Sequence, residues 1–433
     1  MENIKQLAKK IIPHNLWLVL IKLKQNYKDY LIRKENIKLI KNTYLHYKEV
    51  EKQLYNRADK KIRFACYVMY ASDFGEGNLV NLMKNDEDFI PKIVVVPDIS
   101  RGKEHMLNVY NNTKTFLIDK YDKEIILDGY NEEKDIYNDY SDNFDIIALN
   151  CPYSNMANNY HTVEYLSQKN VLTFYAGYGF PSTKYPEKAI FPTLAFSLFW
   201  RTFVDSKYTL KSCKKYSLSH GKNTIPTGYI KMDGYSKCEI KKQEKKTILL
   251  APHHSVNLPA LPLSNFMSYY NLILELPDLF PEINFIFRPH PLLFTHLINK
   301  GYWTEKQVQK YLEDIKSKGI IYSSGGDYFE LFANSDAIIH DCGSYITEWL
   351  FTGKPCCFVA KDKSIFKLFT RLGHESIKHY TIAYTKDDII NFIRNINENN
   401  VFKPYINDKT LNKNVFINYP NVSKSILDYL RFN

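Results

Sequence analysis

Side chains able to move a proton or hold a phosphate are concentrated at a few points of the chain. They are Pro252-His253-His254-Ser255, Arg288-Pro289-His290-Pro291 and His340-Asp341-Cys342-Gly343-Ser344, with Glu348 and Lys354 a little further on. Each cluster closes a short apolar run that reads as a β-strand, and in open α/β sheets ligands lie beyond the carboxyl ends of strands. Arg288 can pair with phosphate through two parallel N–H groups, and His290 can donate to phosphate or pass a proton near neutral pH. A proline on each side of His290 stiffens the backbone that holds it. Adjacent residues of an extended segment point in opposite directions, so one of His253 and His254 is expected to be structural and the other to face a ligand. After the run 337–339, Gly343 admits close backbone approach. Ser344 opens a helix whose N-terminus favours an anion, and Glu348, on the same face, can accept hydroxyl protons from a ribose.

A further cluster of this kind, Ser72-Asp73-Phe74-Gly75-Glu76-Gly77-Asn78, follows the apolar run 63–70. Gly75 and Gly77 let main-chain N–H groups approach an oxygen-rich ligand, and a plain tight turn explains the same residues. The third glycine of a dinucleotide fingerprint is missing, which argues against NAD. His340, Asp341 and Cys342 alternate in direction and cannot jointly clasp one ion, so no metal site is expected there. The seven cysteines, at 66, 151, 213, 238, 342, 356 and 357, show neither C-x-x-C nor zinc-knuckle spacing. They read as small buried apolar residues of a protein from a reducing cytoplasm.

The elements that position these residues follow from the apolar pattern. Strands are expected at 63–70, 93–97, 115–118, 144–149, 171–175 and near 202–205, alternating with helix-length amphipathic segments. A Lys- and Glu-rich stretch, 237–246, reads as a linker, and a second series follows at 247–251, 284–288, 320–322, 337–340 and 356–359. Two such series in 433 residues predict two Rossmann-like domains facing one cleft, here bounded as 62–240 and 241–405. The segment 406–433 is expected to carry a helix, with Ile426, Leu427 and Leu430 on one face, that packs back across the domains.

The net charge of +11 is uneven. Residues 1–61 hold 13 Lys and 2 Arg against 6 acidic residues, a surplus of +9, and the remaining 372 residues are nearly neutral. Helical spacing of Ile4, Leu7, Ala8, Ile11 and Ile12, a break at Pro13 and a second apolar stretch from Leu16 to Leu23 with Trp17 describe a basic helical appendage. It fits an anchor at anionic headgroups, and it equally fits packing on its own protein with a solvated basic face. The longest early apolar run is far short of the roughly 18 to 20 residues that span a bilayer, so no transmembrane helix or signal peptide is expected. Near-neutral main domains without a nucleic-acid motif argue against nucleic-acid binding. With 45% hydrophobic and 15% aromatic residues the chain can bury large cores, which excludes disorder.

The motifs A-P-H-H-S at 251–255, F-R-P-H-P at 287–291, G-G-D-Y at 325–328, S-D-A-I-I-H-D-C-G-S at 335–344 and E-W-L-F-T-G-K-P at 348–355 together carry a resemblance. They resemble the C-terminal half of the CDP-glycerol glycerophosphotransferase family, enzymes of teichoic acid and capsular polymer synthesis with the GT-B fold. The resemblance covers about residues 62–405, and its motifs are specific in the second domain. It implies transfer of glycerol phosphate from CDP-glycerol to an acceptor hydroxyl with release of CMP. It places the family's R-P-H motif on Arg288, Pro289 and His290, and its phosphate-contacting Asp-x-x-Ser element on Asp341 to Ser344. Gly343, Ser344, Glu348 and Lys354 then belong to the donor side. Gly75, Gly77, Asn78, Tyr178 and Gly179 belong to the acceptor side.

Where the family places a W-H-G-T-P-like motif in its N-terminal domain, this chain has Tyr175-Ala176-Gly177-Tyr178-Gly179. The general base then falls to His254 or His290. The expected partners are a nucleotide-activated donor, a polysaccharide or lipid-linked acceptor and an anionic membrane surface, with a cytoplasmic or inner-face location. No organic cofactor is implied, and assistance by a divalent metal stays open at this point. A GT-B glycosyltransferase using a nucleotide sugar, and a nucleotide-binding scaffold of a capsule assembly complex, are the competing readings.

Overall fold

Runs of buried apolar residues separated by amphipathic helices build two parallel sheets in succession. The protein is seen as a computed structural model that describes residues 14–177, 179–324, 328–398 and 407–431. The chain opens with a long helix, α1 (His14–Asn56). The first sheet holds β1 (Ile62–Val68), β2 (Phe89–Val95), β3 (Ile126–Asp128), β4 (Ile146–Leu149), β5 (Leu172–Tyr175), β6 (Arg201–Val204) and β7 (Thr224–Pro226). Their order is β3-β2-β1-β4-β5-β6-β7. Two helices of this half matter below, α2 (Gly77–Lys84) and α3 (Lys103–Lys120).

The second sheet holds β8 (Lys246–Ala251), β9 (Ile283–Phe287), β10 (Ile321–Tyr322), β11 (Ala337–His340), β12 (Cys356–Val359) and β13 (Thr381–Ala383), in the order β10-β9-β8-β11-β12-β13. With them come α4 (Phe266–Leu279), α5 (Phe329–Asn334), the single turn α6 (Tyr345–Glu348) and the last helix α7 (Val422–Leu430). The central strands are apolar on both faces because helices cover both sides of a parallel sheet. From Ile248 to Leu250, from Ala337 to Ile339 and from Cys356 to Phe358, every residue is almost fully buried. Five of the seven cysteines are buried, and Cys151 and Cys238 are half-buried.

Each strand order reverses direction beside the first strand of its sheet, between β1 and β4 and between β8 and β11. Those two reversals are the topological switch points where open α/β sheets leave a crevice. The expected strand at 115–118 is corrected to the last turns of α3. Met106, Tyr110, Thr113 and Leu117 are buried at helical spacing, and that period outweighs the local Thr-Phe-Leu-Ile run. The strand of that position is β3, slightly later, and the short strands β7 and β13 were not anticipated.

The two halves are tied together by chain that crosses between them. Phe180 lies in the core of the second half, Ser182 Oγ meets Thr347 Oγ1 at 2.7 Å, and Thr370 Oγ1 donates to Pro181 O at 2.8 Å. In the opposite direction, α7 buries Val422, Ile426, Leu427 and Leu430 in the first core. The carboxylate of Asp233 accepts the N–H groups of Val422 and Ser423 at 3.1 and 2.6 Å, holding the start of that helix. This is the expected C-terminal helix, packed back on the first half.

One part of α1 packs on its own protein, as one reading of the basic appendage expects, and another part does not. Ile40, Thr43, Tyr47 and Val50 are buried, and the Tyr47 hydroxyl bonds Thr173 Oγ1 and donates to Leu198 O. Residues 15–39 stand clear of the domains, with Leu16, Leu18, Val19, Ile21 and Leu23 each at least half exposed. At 1.5 Å per residue that section is roughly 37 Å long. The expected helix over residues 4–12 and the break at Pro13 lie outside the described residues.

Candidate active site

The carboxyl ends of β1, β4, β8, β9 and β11 converge on a cavity of about 570 Å³. Asp73, Arg101, His105 and Tyr153 line it from the first half, and His254, Arg288, His290, Ser344 and Glu348 line it from the second. Lys231 and Tyr328 complete the wall.

The histidines share one local geometry. Nδ1 of His290 accepts the main-chain N–H of Leu292 at 3.1 Å, and Nδ1 of His340 accepts that of Cys342 at 3.1 Å. Nδ1 of His253 faces the N–H of Ser255 at 3.3 Å and the Ser255 hydroxyl at 2.7 Å. A neutral imidazole that accepts at Nδ1 carries its hydrogen on Nε2. Burial keeps these rings neutral: the pKa of His290 is held down at about 3 and that of His340 at about 3, while His253 is pushed well below its ordinary value. His290 and His253 are thus arranged as Nε2–H donors.

Ring nitrogens of His253, His254 and His290 lie within 4.8 Å of one another, a spacing that a metal ion could bridge. The donor set does not fit one, because Nδ1 of His253 and of His290 is occupied and Nε2 carries the hydrogen. An imidazole cluster in which cavity-lining His290 offers an Nε2–H donor suits an anion better. Of the two adjacent histidines, His253 is the structural one and His254 faces the cavity, as the alternation predicts. His254 Nδ1 is buried without a hydrogen-bond partner, and burial holds its pKa down at about 4.

Arg288 sits beside these rings, donating to Ser323 Oγ at 2.9 Å, with its guanidinium 5.8 Å from the Tyr328 ring. Glu348 is buried and accepts the Tyr328 hydroxyl at 2.5 Å, while Lys231 Nζ lies 3.1 Å from the same hydroxyl. Burial raises the Glu348 carboxyl and the nearby Lys231 charge opposes that rise. Ser344 lines the cavity across from Gly179, at which a Cβ would lie 3.8 Å from Ser344 Cβ.

Three donor-side expectations are corrected. Asp341 does not face the cavity: it is fully buried and accepts the N–H groups of His253 and Asn265 at 2.5 and 2.6 Å. Its carboxylate therefore positions the loop that carries His253 and His254, and burial raises its pKa to about 7. Gly343 is not an approach point for phosphate, because the space a Cβ would fill is closed by Leu263 and Thr183 side chains at 3.1 and 3.2 Å. Lys354 points to the end of α5, where Nζ donates to the carbonyls of Phe332, Ala333 and Ser335. It caps that helix, a structural use of a cation.

On the acceptor side, Gly75, Gly77 and Asn78 border a separate cavity next to the first, and Tyr178 lies outside the described residues, as do residues 325–327 of the G-G-D-Y motif. Sequence reasoning missed the polar wall contributed by the first half. Asp98 is fully buried, accepts the Tyr70 hydroxyl, and bonds Ser100 through both N–H and hydroxyl. His105 Nε2 stands 3.9 Å from Asp98 Oδ2, and Arg101 Nε 3.8 Å from the same oxygen. His105 Nε2 is buried without a hydrogen-bond partner. The only sequence signal was Asp98 at the end of a Val-rich run, with His105 two helical turns later.

No protein-family model and no curated protein matches the chain. Solved structures do match. A histidine variant of the wall teichoic acid polymerase TagF aligns with a TM-score of 0.52 at 15% identity, covering 94% of this chain and 96% of that one. UDP-GlcNAc 2-epimerase from Neisseria meningitidis, bound to UDP-GlcNAc, gives 0.51 at 14% identity, covering 86% of this chain and 100% of that one. The epimerase from Methanocaldococcus jannaschii gives 0.52 at 11% identity with the same coverage. At these identities the likeness is one of fold, and the chain has the GT-B fold of two Rossmann-like units about a cleft.

The buried histidines make stability depend on pH. An unfolded imidazole titrates near 6.5, whereas folded His290 and His340 resist protonation down to about pH 3. Between those values the unfolded chain binds more protons, so stability is complete above the window and falls as pH drops through it. For fully buried His340 the loss at pH 5 is about 2 kcal/mol. Thermal unfolding followed from pH 8 to pH 5 is expected to show a Tm that holds down to about pH 6.5 and then falls toward pH 5, and a Tm flat over the whole range would contradict the neutral-histidine assignment.

Proposed function

We propose that this GT-B protein is a transferase that moves glycerol phosphate, or a related polyol phosphate, from a CDP-activated donor to a hydroxyl of a surface-polymer acceptor, releasing CMP. The observation that carries the reading is the fixed Nε2–H donor of His290 beside Arg288 at the switch point of the second sheet. The two side chains form a cationic and donor-rich wall for a pyrophosphate without a metal-ligand set. The motifs of the second half support the same chemistry, and TagF shares the fold.

In this mechanism the acceptor hydroxyl attacks the distal phosphorus in line, a new P–O bond forms, and the bond to CMP breaks. His290 and Arg288 stabilise charge on the phosphoryl oxygens and the departing CMP. The hydroxyl proton passes to His105 on the opposite wall of the cavity. His254 is the weaker base, because burial keeps its pKa near 4. Ser344 and Glu348 contact the nucleotide side.

Purified protein with CDP-glycerol and a hydroxylated acceptor is expected to release CMP. His290→Ala and His105→Ala should each lower turnover by about 10²-fold or more. Release of a nucleoside diphosphate from a nucleotide sugar would favour the glycosyltransferase reading, which UDP-GlcNAc binding by a neighbour of the same fold keeps in view.

The projecting section of α1 is assigned to the membrane surface, where lipid-linked acceptors are held. Its exposed leucines and isoleucine suit the headgroup boundary, and Lys22, Lys24, Lys28, Lys34 and Lys38 supply roughly 1 kcal/mol each at an anionic surface. No helix among the described residues is long and apolar enough to cross a membrane. Deleting residues 1–38, which stops short of buried Ile40, should abolish sedimentation with phosphatidylglycerol vesicles and leave CDP binding intact. Equal sedimentation of both forms would overturn the assignment.

A further inference from the structure

Lys231 stands where the chain passes from one half to the other. Ile230 before it is buried in the first core, and Met232 after it, at the start of the turn Met232–Tyr235, is buried in the second. Its ammonium sits between the halves and bonds to both. Nζ donates to Ser72 O at 2.8 Å, on the loop after β1, and to the Tyr328 hydroxyl at 3.1 Å, just before α5. The carboxylates of Asp73 on the first side and Glu348 on the second supply its counter-charge.

An ammonium has hydrogens to give and no acceptor, so the Tyr328 oxygen accepts from Lys231. The phenol hydrogen is then committed to Glu348 Oε2, 2.5 Å away. A one-way chain results, from Lys231 through Tyr328 to Glu348, with the carboxylate as its terminal acceptor. Tyr328 is kept from turning aside by its ring, which packs on those of Phe332 and Tyr345 with centroids 5.0 and 5.3 Å away. Glu348 has no second hydrogen-bond partner among the described residues, so Oε1 is left for a ligand in the cavity that it lines. Burial favours the protonated carboxyl, a poorer acceptor, and the Lys231 charge opposes that.

We infer that Lys231 and Tyr328 are positioning residues for the nucleotide side, holding Glu348 as an oriented carboxylate so that the cavity selects a ribonucleotide by its ribose hydroxyls. The inference rests on the transferase reading for the occupant of the cavity. It goes beyond that reading in giving a residue of the crossing segment, and not the donor half alone, control over the selectivity. Lys231 acts here through Tyr328, without a contact of its own to the phosphates.

The test compares the binding of CDP and 2′,3′-dideoxy-CDP to the full-length protein by calorimetry, with UDP and its dideoxy analogue run alongside. Wild-type protein should bind the ribonucleotide about tenfold or more tightly than its dideoxy partner, the scale of a hydrogen bond to a charged group. Tyr328→Phe, which keeps the buried ring, and Lys231→Met should each bring the two affinities to within about threefold by weakening the ribonucleotide. Retained affinity for the dideoxy nucleotide shows each variant to be folded. Unchanged discrimination in both variants, or none in the wild type, would overturn the inference. So would an equal loss of both nucleotides in Lys231→Met, the mark of a direct phosphate contact. Because no turnover is read, a protein that discriminates as expected and yet releases no CMP would count against the transferase reading alone, whereas failure of both nucleotide pairs to bind would overturn the two together.

Discussion

Main-chain N–H groups two residues downstream fix the histidines of this protein, and the chemistry of the cleft depends on that constraint. At the end of three strands or strand-loop junctions a histidine turns back so that Nδ1 accepts the amide of the residue after next: Ser255 for His253, Leu292 for His290 and Cys342 for His340. A side chain that would otherwise exchange between two tautomers is held in one. Desolvation then keeps the ring neutral, so the proton on Nε2 is neither shed nor doubled near neutral pH. The result is a set of hydrogen-bond donors held in place before any ligand arrives.

The rest of the structure serves to place those turns. Asp341 is buried at the end of β11 and grips the two ends of the loop from His253 to Asn265, which lines up the β8 histidines with His290 on the neighbouring β9. Cations are treated differently according to place: Lys354 spends its hydrogens on the carbonyls at the end of α5, whereas Lys231 and Arg288 stand at the cavity wall. The crossing segments, Phe180 to Ser182 in one direction and α7 in the other, hold the opposite wall with His105 and Asp98 against the donor wall.

Much of this was legible in the residues. The strands of the second half are continuous apolar runs ended by proline, glycine or histidine, and β11 and β12 stand where the runs place them. Arg288, His254, His290, Ser344 and Glu348 meet at one cavity because all follow strands beside one switch point. Less legible were residues whose use depends on what lies opposite. Asp341 and Gly343 have the residue types of a phosphate loop, yet one is turned inward to amides and the other is packed by Leu263 and Thr183. His105 could not be connected to the site from spacing, since it sits on α3 and meets the other lining residues only in the folded cavity. The run at 115–118 misled because a local β-favouring composition was weighed above the longer helical period in which it lies.

The fixed tautomers can be observed directly. With ¹⁵N-labelled histidine, long-range nitrogen–proton correlation spectra at pH 7 distinguish a protonated Nε2 from a protonated Nδ1 for each ring, with assignments from His290→Gln and His253→Gln variants. The account predicts neutral Nε2–H forms for His253, His290 and His340, with the Nε2 signal of His290 displaced when CDP is added. An Nδ1–H form at His290, or an imidazolium at pH 7 in the ligand-free protein, would contradict it.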